Sequence, residues 1–173
     1  MARGWSLALT ILAGFWLIVL VGLPLYVFPP VDQVPRSDIA FVLGPPMEER
    51  LALAEDLRAE GLVGQIVVSV QASGGQTAED LAICREGRAT CEVADPHTTR
   101  GEVLMMRERA TAPSLIVITQ TAHVARTRYL FAKCYPGEVT VVAAGGPESL
   151  SAWTSQYVYQ SLAFVKALLQ PCP

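Results

Sequence analysis

The feature that most constrains this chain is a stretch near its N-terminus, Gly4 to Val31, that carries no charged side chain. Within it, the 24 residues from Trp5 to Phe28 exceed the roughly 20 apolar residues with which a helix crosses a bilayer. Aromatic residues stand near both ends, where the membrane interface favours them, and no small-residue cleavage site of a signal peptide follows. We therefore predict a membrane anchor over residues 1–30, with Pro24 kinking or ending its helix. The alternative is a buried helix of a soluble core.

The rest of the chain is a proline-bearing linker over residues 31–37 and a domain over residues 38–173. This part has the size of one domain with one core. It holds all 16 acidic residues but only 12 of the 13 basic ones, and that negative balance argues against a general nucleic-acid binder. Its many aliphatic runs argue against disorder.

The distribution of charge and cysteine predicts which side of the membrane the domain occupies. A basic residue precedes the apolar stretch and an acidic one follows it, which favours an N-terminus inside the cell. All four cysteines follow the stretch, as expected for two disulfides in an oxidising compartment. Of three possible pairings we favour Cys84–Cys91, which closes a short charged loop, and Cys134–Cys172, which ties down the C-terminal tail. Zinc binding is the alternative, disfavoured because no C-x-x-C pair is present and the two histidines are not spaced as partners. We predict a single-pass plasma-membrane protein with an extracytoplasmic C-terminal domain.

Short aliphatic runs alternate with helical patterns along the domain. The runs predicted to be strands are residues 39–43, 65–69, 114–119 and 138–143. The patterns predicted to be helices are residues 48–60, 77–86, 101–110, 122–134 and about 150–169. Strands that are apolar throughout indicate a mainly parallel sheet that is covered by helices on both faces. The predicted fold is α/β, a Rossmann-like three-layer sandwich preceded by one transmembrane helix.

In such a sheet, ligands bind outside the carboxyl ends of the strands, so the loops there are the candidate site. These loops are residues 44–46, 72–75, 119–123 and 144–146. In the third of them, Thr119 ends a strand, Thr121 can cap the next helix, and His123 and Arg126 fall on one face of its first turns. A helix N-terminus joined by an imidazole and a guanidinium suits an anion such as a phosphate, and His123 can serve as a general acid or base. The alternative is that His123 and Arg126 satisfy a carbonyl and a carboxylate within the fold.

A second candidate lies at the start of the helix predicted over residues 101–110. Thr98 and Thr99 precede this helix and Glu102 stands in its first turn, so together they can hydrogen-bond a polyhydroxylated or phosphorylated ligand. The alternative is an ordinary capping motif. The loop at Gly44 contains two prolines and lacks their N–H donors, which weakens it as a phosphate cradle. The chain has no G-x-G-x-x-G, G-x-S-x-G or Walker A motif.

Four short motifs, taken in their order along the chain, resemble the SanA/ElyC/YdcF-like family of bacterial envelope proteins. The motifs are Val42-Leu43-Gly44, Arg50, Thr98-Thr99-Arg100-Gly101-Glu102, and Ile118-Thr119-Gln120-Thr121-Ala122-His123-Val124-Ala125-Arg126. The resemblance covers roughly residues 38–169. It implies a Rossmann-like fold behind a short N-terminal anchor. It also implies a role in envelope integrity or in peptidoglycan and lipid-carrier metabolism.

We therefore predict an anchored envelope protein whose outer domain binds, and hydrolyses or transfers, an anionic precursor such as a lipid-linked phosphate or sugar. His123 would move the proton, and Arg126 and the helix N-terminus would hold the anion. The remaining predicted ligand-binding residues are Gly44, Arg50, Thr98, Thr99, Glu102, Thr119 and Thr121. The predicted partners are the lipid bilayer, the precursor and cell-wall synthesis proteins, with no nucleic acid, cofactor or metal. The alternatives are a non-catalytic interaction module of the wall machinery and, ranked lowest, an S-adenosylmethionine binder.

Overall fold

The computed structural model describes residues 2–109 and 113–172, and within residues 2–15 it describes the side chains of residues 9–14 only. The aromatic side chain of Trp5 and the end of the helix predicted to reach Ala110 lie outside the described part. The helices are α1 (Ala2–Gly22), α2 (Glu48–Ala59), α3 (Ala82–Arg85), α4 (Thr99–Arg107), α5 (Val124–Cys134) and α6 (Leu150–Leu169). The strands are β1 (Ser37–Val42), β2 (Val63–Val70), β3 (Thr90–Val93), β4 (Leu115–Thr119) and β5 (Val139–Ala143). A π-helical segment, Leu23–Val27, follows α1, and a 3₁₀ turn, Thr121–His123, precedes α5.

The five strands form one parallel sheet in the order β3-β2-β1-β4-β5, which confirms the predicted α/β class. Phe41 in the central strand β1 pairs in register with Val67 of β2 and Val117 of β4. The chain runs outward from β1 in one direction and then returns to β4 on its other side. The order of the strands therefore reverses between β1 and β4. The loops that follow these two strands lead away in opposite directions and leave a crevice at the carboxyl ends of β1 and β4.

Alternate residues of β1 face two separate hydrophobic layers. Phe41 packs on one face with Phe131 of α5 and Met106 of α4. Val42 packs on the opposite face with Ala54 of α2. Both faces are therefore covered by helices, and this is why the strands read as unbroken apolar runs. Because Phe41 and Phe131 are fully buried, truncating either to alanine should cost about 3–5 kcal/mol of the free energy of unfolding.

The region between β2 and β3 differs most from the sequence prediction. Residues 77–86 were expected to form one helix, but only α3, a single turn, is helical. The reason is Asp80, whose carboxylate accepts hydrogen bonds from the N–H groups of Gln76 and Thr77 and from the Thr77 hydroxyl. Asp competes in this way with helical bonding and holds the backbone in a turn. β3 was not predicted because it is a short edge strand whose residues are only partly buried.

α1 is the one described helix that is long and apolar enough to cross a membrane, with a window over Leu9–Val27 of mean hydropathy 2.2. The predicted kink residue Pro24 lies in the π-helical segment, as expected for a residue that cannot donate to the preceding turn. The end of α1 packs against α6. The hydroxyl of Tyr157 in α6 donates to the carbonyl oxygen of Ile18 at 3.0 Å. The same hydroxyl lies so close to Gly22 that a methyl group on Gly22 would overlap it.

Both predicted disulfides are present in the structure. Cys84 and Cys91 join α3 to β3, with 5.8 Å between their Cα atoms. Cys134 and Cys172 join the end of α5 to the C-terminal tail, with 5.4 Å between their Cα atoms. These bonds account for all four cysteines, which excludes the zinc alternative that depended on them.

Candidate functional site

A cleft of about 1300 Å³ opens at the carboxyl end of the sheet, where the order of strands reverses. All four loops that the sequence placed at this edge contribute lining residues. α6 supplies a further wall, which the sequence did not indicate. Seven of the predicted site residues line the cleft, namely Gly44, Arg50, Thr98, Thr99, Glu102, His123 and Arg126.

Arg50, in the first turn of α2, is 6% exposed. Its guanidinium reaches back over the first loop and donates to the carbonyl oxygens of Leu43 at 3.3 Å and Pro45 at 2.8 Å. Its Nε is buried without a hydrogen-bond acceptor in the part of the chain that the structure describes. Burial lowers the pKa of this guanidinium from its ordinary value, but an arginine keeps its charge in proteins. Arg50 thus brings a positive charge to the cleft with donor capacity to spare.

Arg126, in the first turn of α5, brings the second positive charge. Its Nε donates to the Gln160 side chain of α6 at 3.0 Å, and one terminal nitrogen makes a long contact of 3.5 Å with the Thr99 hydroxyl. The guanidinium also lies 5.8 Å from the centre of the Tyr159 ring, within cation–π range. Burial lowers its pKa as well. Among residues 2–109 and 113–172, neither Arg126 nor Arg50 forms an ion pair with a carboxylate.

Glu49 of α2 and Glu102 of α4 are the carboxylates whose charge acts on these guanidinium groups, and Glu102 is the buried one. It accepts the backbone N–H of Gly44 at 2.7 Å and a hydrogen bond from the Ser69 hydroxyl, so it joins the ends of β1 and β2 to α4. Burial raises its pKa, while these two hydrogen bonds and the charges of Arg126 and Arg50 act in the opposite direction. One buried carboxylate therefore faces two guanidinium groups in the cleft.

His123 is buried and has a threonine hydroxyl at each ring nitrogen. Nδ1 lies 3.0 Å from the Thr119 hydroxyl, and Nε2 lies 3.3 Å from the Thr99 hydroxyl. Burial, together with the charges of Arg126 and Arg50, holds its pKa well below the ordinary value. The ring is therefore neutral at pH 7, and the positive charge of the cleft comes from its arginines and lysine, namely Arg50, Arg100, Arg126 and Lys166.

The two threonine hydroxyls satisfy His123 within the fold. A neutral imidazole has one donor and one acceptor nitrogen, and a hydroxyl can play either role toward it. Each ring nitrogen therefore has a partner in Thr119 or Thr99, and the ring helps to hold both side chains in place.

Two predicted ligand-binding residues lie behind the cleft and are not part of its lining. Thr119 sits at the end of β4 against His123. Thr121 does not cap α5 as predicted, because its hydroxyl donates to the carbonyl oxygen of Gly145 at 3.0 Å and joins two loops. Thr98 does cap α4, accepting the N–H of Gly101 at 3.2 Å.

Sequence reasoning missed the contribution of α6, which places Gln156, Tyr159, Gln160 and Lys166 in the cleft wall. Gln160 is 1% exposed and bonds both Arg126 and Gln156. The signal that could have found it is a pair of amides four residues apart on the predicted helix, a spacing that places both on one face. Nothing in the sequence says which strand that helix packs beside.

The arrangement is suited to holding an oxyanion. Two partly or fully buried guanidinium groups act on the same pair of residues, Glu102 and His123. A guanidinium group can bind two oxygens of a carboxylate or phosphate at once.

Comparison of the chain with protein-family models, with curated proteins and with solved structures gave no match in any of the three. The chemistry of the cleft therefore has to be argued from its own residues.

Proposed function

We propose that this protein is a single-pass membrane protein whose outer α/β domain binds an anionic, phosphorylated ligand in the cleft. The observation that carries the proposal is the pair Arg50 and Arg126. Both guanidiniums line the cleft and neither is ion-paired with a carboxylate within the described residues. Burying a charge without a partner is costly. A bound phosphate would supply the missing negative charge and acceptors for the free N–H groups.

The anchor and the disulfides support an outer location for the domain. α1 has the length and hydropathy of a membrane span, and the two disulfides are typical of an oxidising compartment outside the cytoplasm. The motif resemblance to the SanA/ElyC/YdcF-like family extends the proposal to a cell-envelope precursor as the ligand. It also suggests a role in envelope integrity or peptidoglycan metabolism.

Hydrolysis or transfer of the bound precursor is the catalytic form of the proposal, with His123 moving the proton. The non-catalytic form, a ligand-binding module of the wall machinery, is favoured by the threonine partners at both ring nitrogens of His123. A group that is to exchange a proton with a ligand must reach it directly or through one water.

Isothermal titration calorimetry of the full chain in detergent micelles tests the binding proposal. Inorganic phosphate and pyrophosphate are titrated in turn, with sodium chloride at matched ionic strength as the control. We expect saturable binding of both phosphates and tighter binding of pyrophosphate, whose larger charge can engage both arginines. Heats indistinguishable from those of chloride would refute an anion site. Release of phosphate from p-nitrophenyl phosphate, above that of an Arg126→Ala variant, would separate the catalytic form from the module.

A further inference from the structure

α6 carries an apolar stripe on its exposed face, and one member of the stripe, Leu162, also borders the cleft. The members of the stripe are Val158, Leu162, Val165 and Leu169, whose spacing of four, three and four residues places them on one side of a helix. They are 58%, 69%, 54% and 80% exposed. A contiguous exposed apolar face of this kind marks a surface that something else covers.

The contact between α6 and the anchor indicates what covers it. Tyr157, one residue before the stripe begins, donates to the carbonyl oxygens of Ile18 and Val19, which lie within the apolar window Leu9–Val27. Nine helical residues separate Ile18 from the end of that window, a rise of roughly 13 Å. α6 therefore lies beside the anchor at a level within its apolar stretch.

The exposed surface of the anchor at this level is apolar as well. Leu17, Leu20 and Val21 are each more than half exposed. The stripe of α6 and these residues belong to two helices that touch through Tyr157 and Gly22. A bilayer that surrounds α1 at this level would therefore also meet the neighbouring stripe.

We infer that the apolar stripe of α6 is immersed in the outer leaflet of the membrane, so that α6 is an interfacial helix whose stripe contacts lipid acyl chains. This inference rests on the membrane anchor of the proposed function. The residues that border the stripe on its cleft side fit the assignment, because Tyr159 and Lys166 are both exposed and are of the types enriched at the membrane interface. The domain is then held with its cleft beside the bilayer surface, since α6 lines that cleft.

Site-specific photocrosslinking of the full chain tests the inference. p-Benzoylphenylalanine replaces Leu162 or Val165, one variant at a time, and the protein is reconstituted in vesicles of phosphatidylethanolamine and phosphatidylglycerol. Leu20 on the anchor is the positive control. Asp56, exposed on α2 on the opposite side of the sheet, is the matched negative control. After irradiation, mass spectrometry identifies lipid adducts.

We expect phospholipid adducts at Leu162 and Val165 in yields comparable with that at Leu20, and none at Asp56. Adducts at Leu20 without adducts at either α6 position would overturn the inference and leave the anchor in place. Crosslinks from α6 to a second copy of the chain would also overturn it, because the stripe would then be a dimer interface. Absence of adducts at Leu20 would refute the anchor itself and the inference with it, whereas the anion site is tested separately by calorimetry.

Discussion

The cleft and the β3 edge of the sheet use arginine in opposite ways. At the β3 edge, Arg88 pairs with Glu55 and with Glu86, and Arg109 pairs with Glu92 at 2.5 Å. In the cleft, Arg50 and Arg126 bond only neutral groups, two backbone carbonyls in one case and Gln160, Thr99 and Tyr159 in the other. The paired arginines are partly exposed, whereas Arg50 is almost fully buried.

The difference shows which charges the fold uses for itself. Exposed ion pairs such as those of Arg88 contribute about 0–1 kcal/mol to stability. The charge of Arg88 is already paired with carboxylates of the same chain, so it needs no ligand. Arg50 and Arg126 have lost much of their solvation without forming an ion pair, and only the nearby charges of Glu49 and Glu102 act on them, so part of their interaction energy is still available to an anion. The buried guanidinium of Arg50, which forms no ion pair within the described residues, thus lies in the cleft, where the loops of four strands meet.

The two disulfides close loops of very different length, one at the β3 edge and one between the end of α5 and the C-terminal tail. Replacing Cys134 and Cys172 by serine opens a loop with a sequence separation of 38 residues, against 7 for Cys84 and Cys91. In the chain-entropy model the longer loop contributes about 4 kcal/mol and the shorter one about 2.5 kcal/mol. Urea unfolding of the two double variants should therefore give the larger loss for the Cys134 and Cys172 pair. Equal losses would show that loop closure does not set the contribution of either disulfide.

Replacing one arginine in each region tests most directly whether the cleft arginine binds an anion and the arginine at the β3 edge does not. Arg126→Met keeps most of the side-chain volume but removes the charge, and should weaken phosphate binding by about 2 kcal/mol, roughly 30-fold. Arg88→Met is the matched control and should leave the affinity unchanged, because Arg88 lies at the other end of the sheet. The midpoint of thermal unfolding should change little in Arg126→Met. Calorimetry that finds equal affinities in the two variants would remove Arg126 from the site.

Acid sensitivity should also distinguish the buried histidine of the cleft from an exposed one. The pKa of His123 in the folded protein lies well below its ordinary value of 6.5, so the unfolded state binds a proton first. The stability contributed by neutral His123 is present above pH 6.5 and is lost as the pH falls below it, by up to about 1.4 kcal/mol per pH unit. His123→Gln should lose this slope in urea unfolding between pH 7 and pH 5. His97→Gln, at an exposed position, should keep it. A slope shared by both variants would mean that other groups cause the acid sensitivity.

Removing the carboxylate of the cleft should have the smallest effect and the opposite sign. Glu102→Gln keeps an acceptor for the Gly44 N–H but deletes a negative charge that repels an anion, so phosphate should bind about 1 kcal/mol more tightly at pH 8. The gain should shrink as the pH falls, since the raised pKa of Glu102 lets the native carboxyl protonate early. Glu92→Gln at the β3 edge should show no change. Weaker binding in Glu102→Gln would mean that the carboxylate contacts the ligand as an acceptor.

The sequence predicted the parts of this fold that depend on local pattern. Buried strands such as Leu115–Thr119 follow from unbroken apolar runs, and the cap of α4 follows from Thr98. The pattern failed at the edge of the sheet, where β3 is half exposed and Asp80 turns the chain out of a helix. The sequence pattern also gave no information on side-chain contacts between residues that are far apart in the chain.

The same limit applies to the candidate site. The edge of the sheet and the residues His123 and Arg126 could be placed from the sequence, because parallel strands bring their following loops together. The protonation state and the hydrogen-bond partners of those residues could not be predicted from the sequence. That His123 is neutral depends on its burial between Thr99 and Thr119, and the contact of Arg126 with Gln160 crosses 34 residues of sequence.

The central claim is that the two guanidiniums of the cleft are there to hold an anion, and a crystal structure of the full chain grown with phosphate tests it most directly. The account predicts a phosphate in the cleft with oxygens at hydrogen-bond distance from the terminal nitrogens of both Arg50 and Arg126. A cleft that holds only water at high phosphate concentration, with Arg50 or Arg126 turned to pair with Glu49 or Glu102, would contradict it.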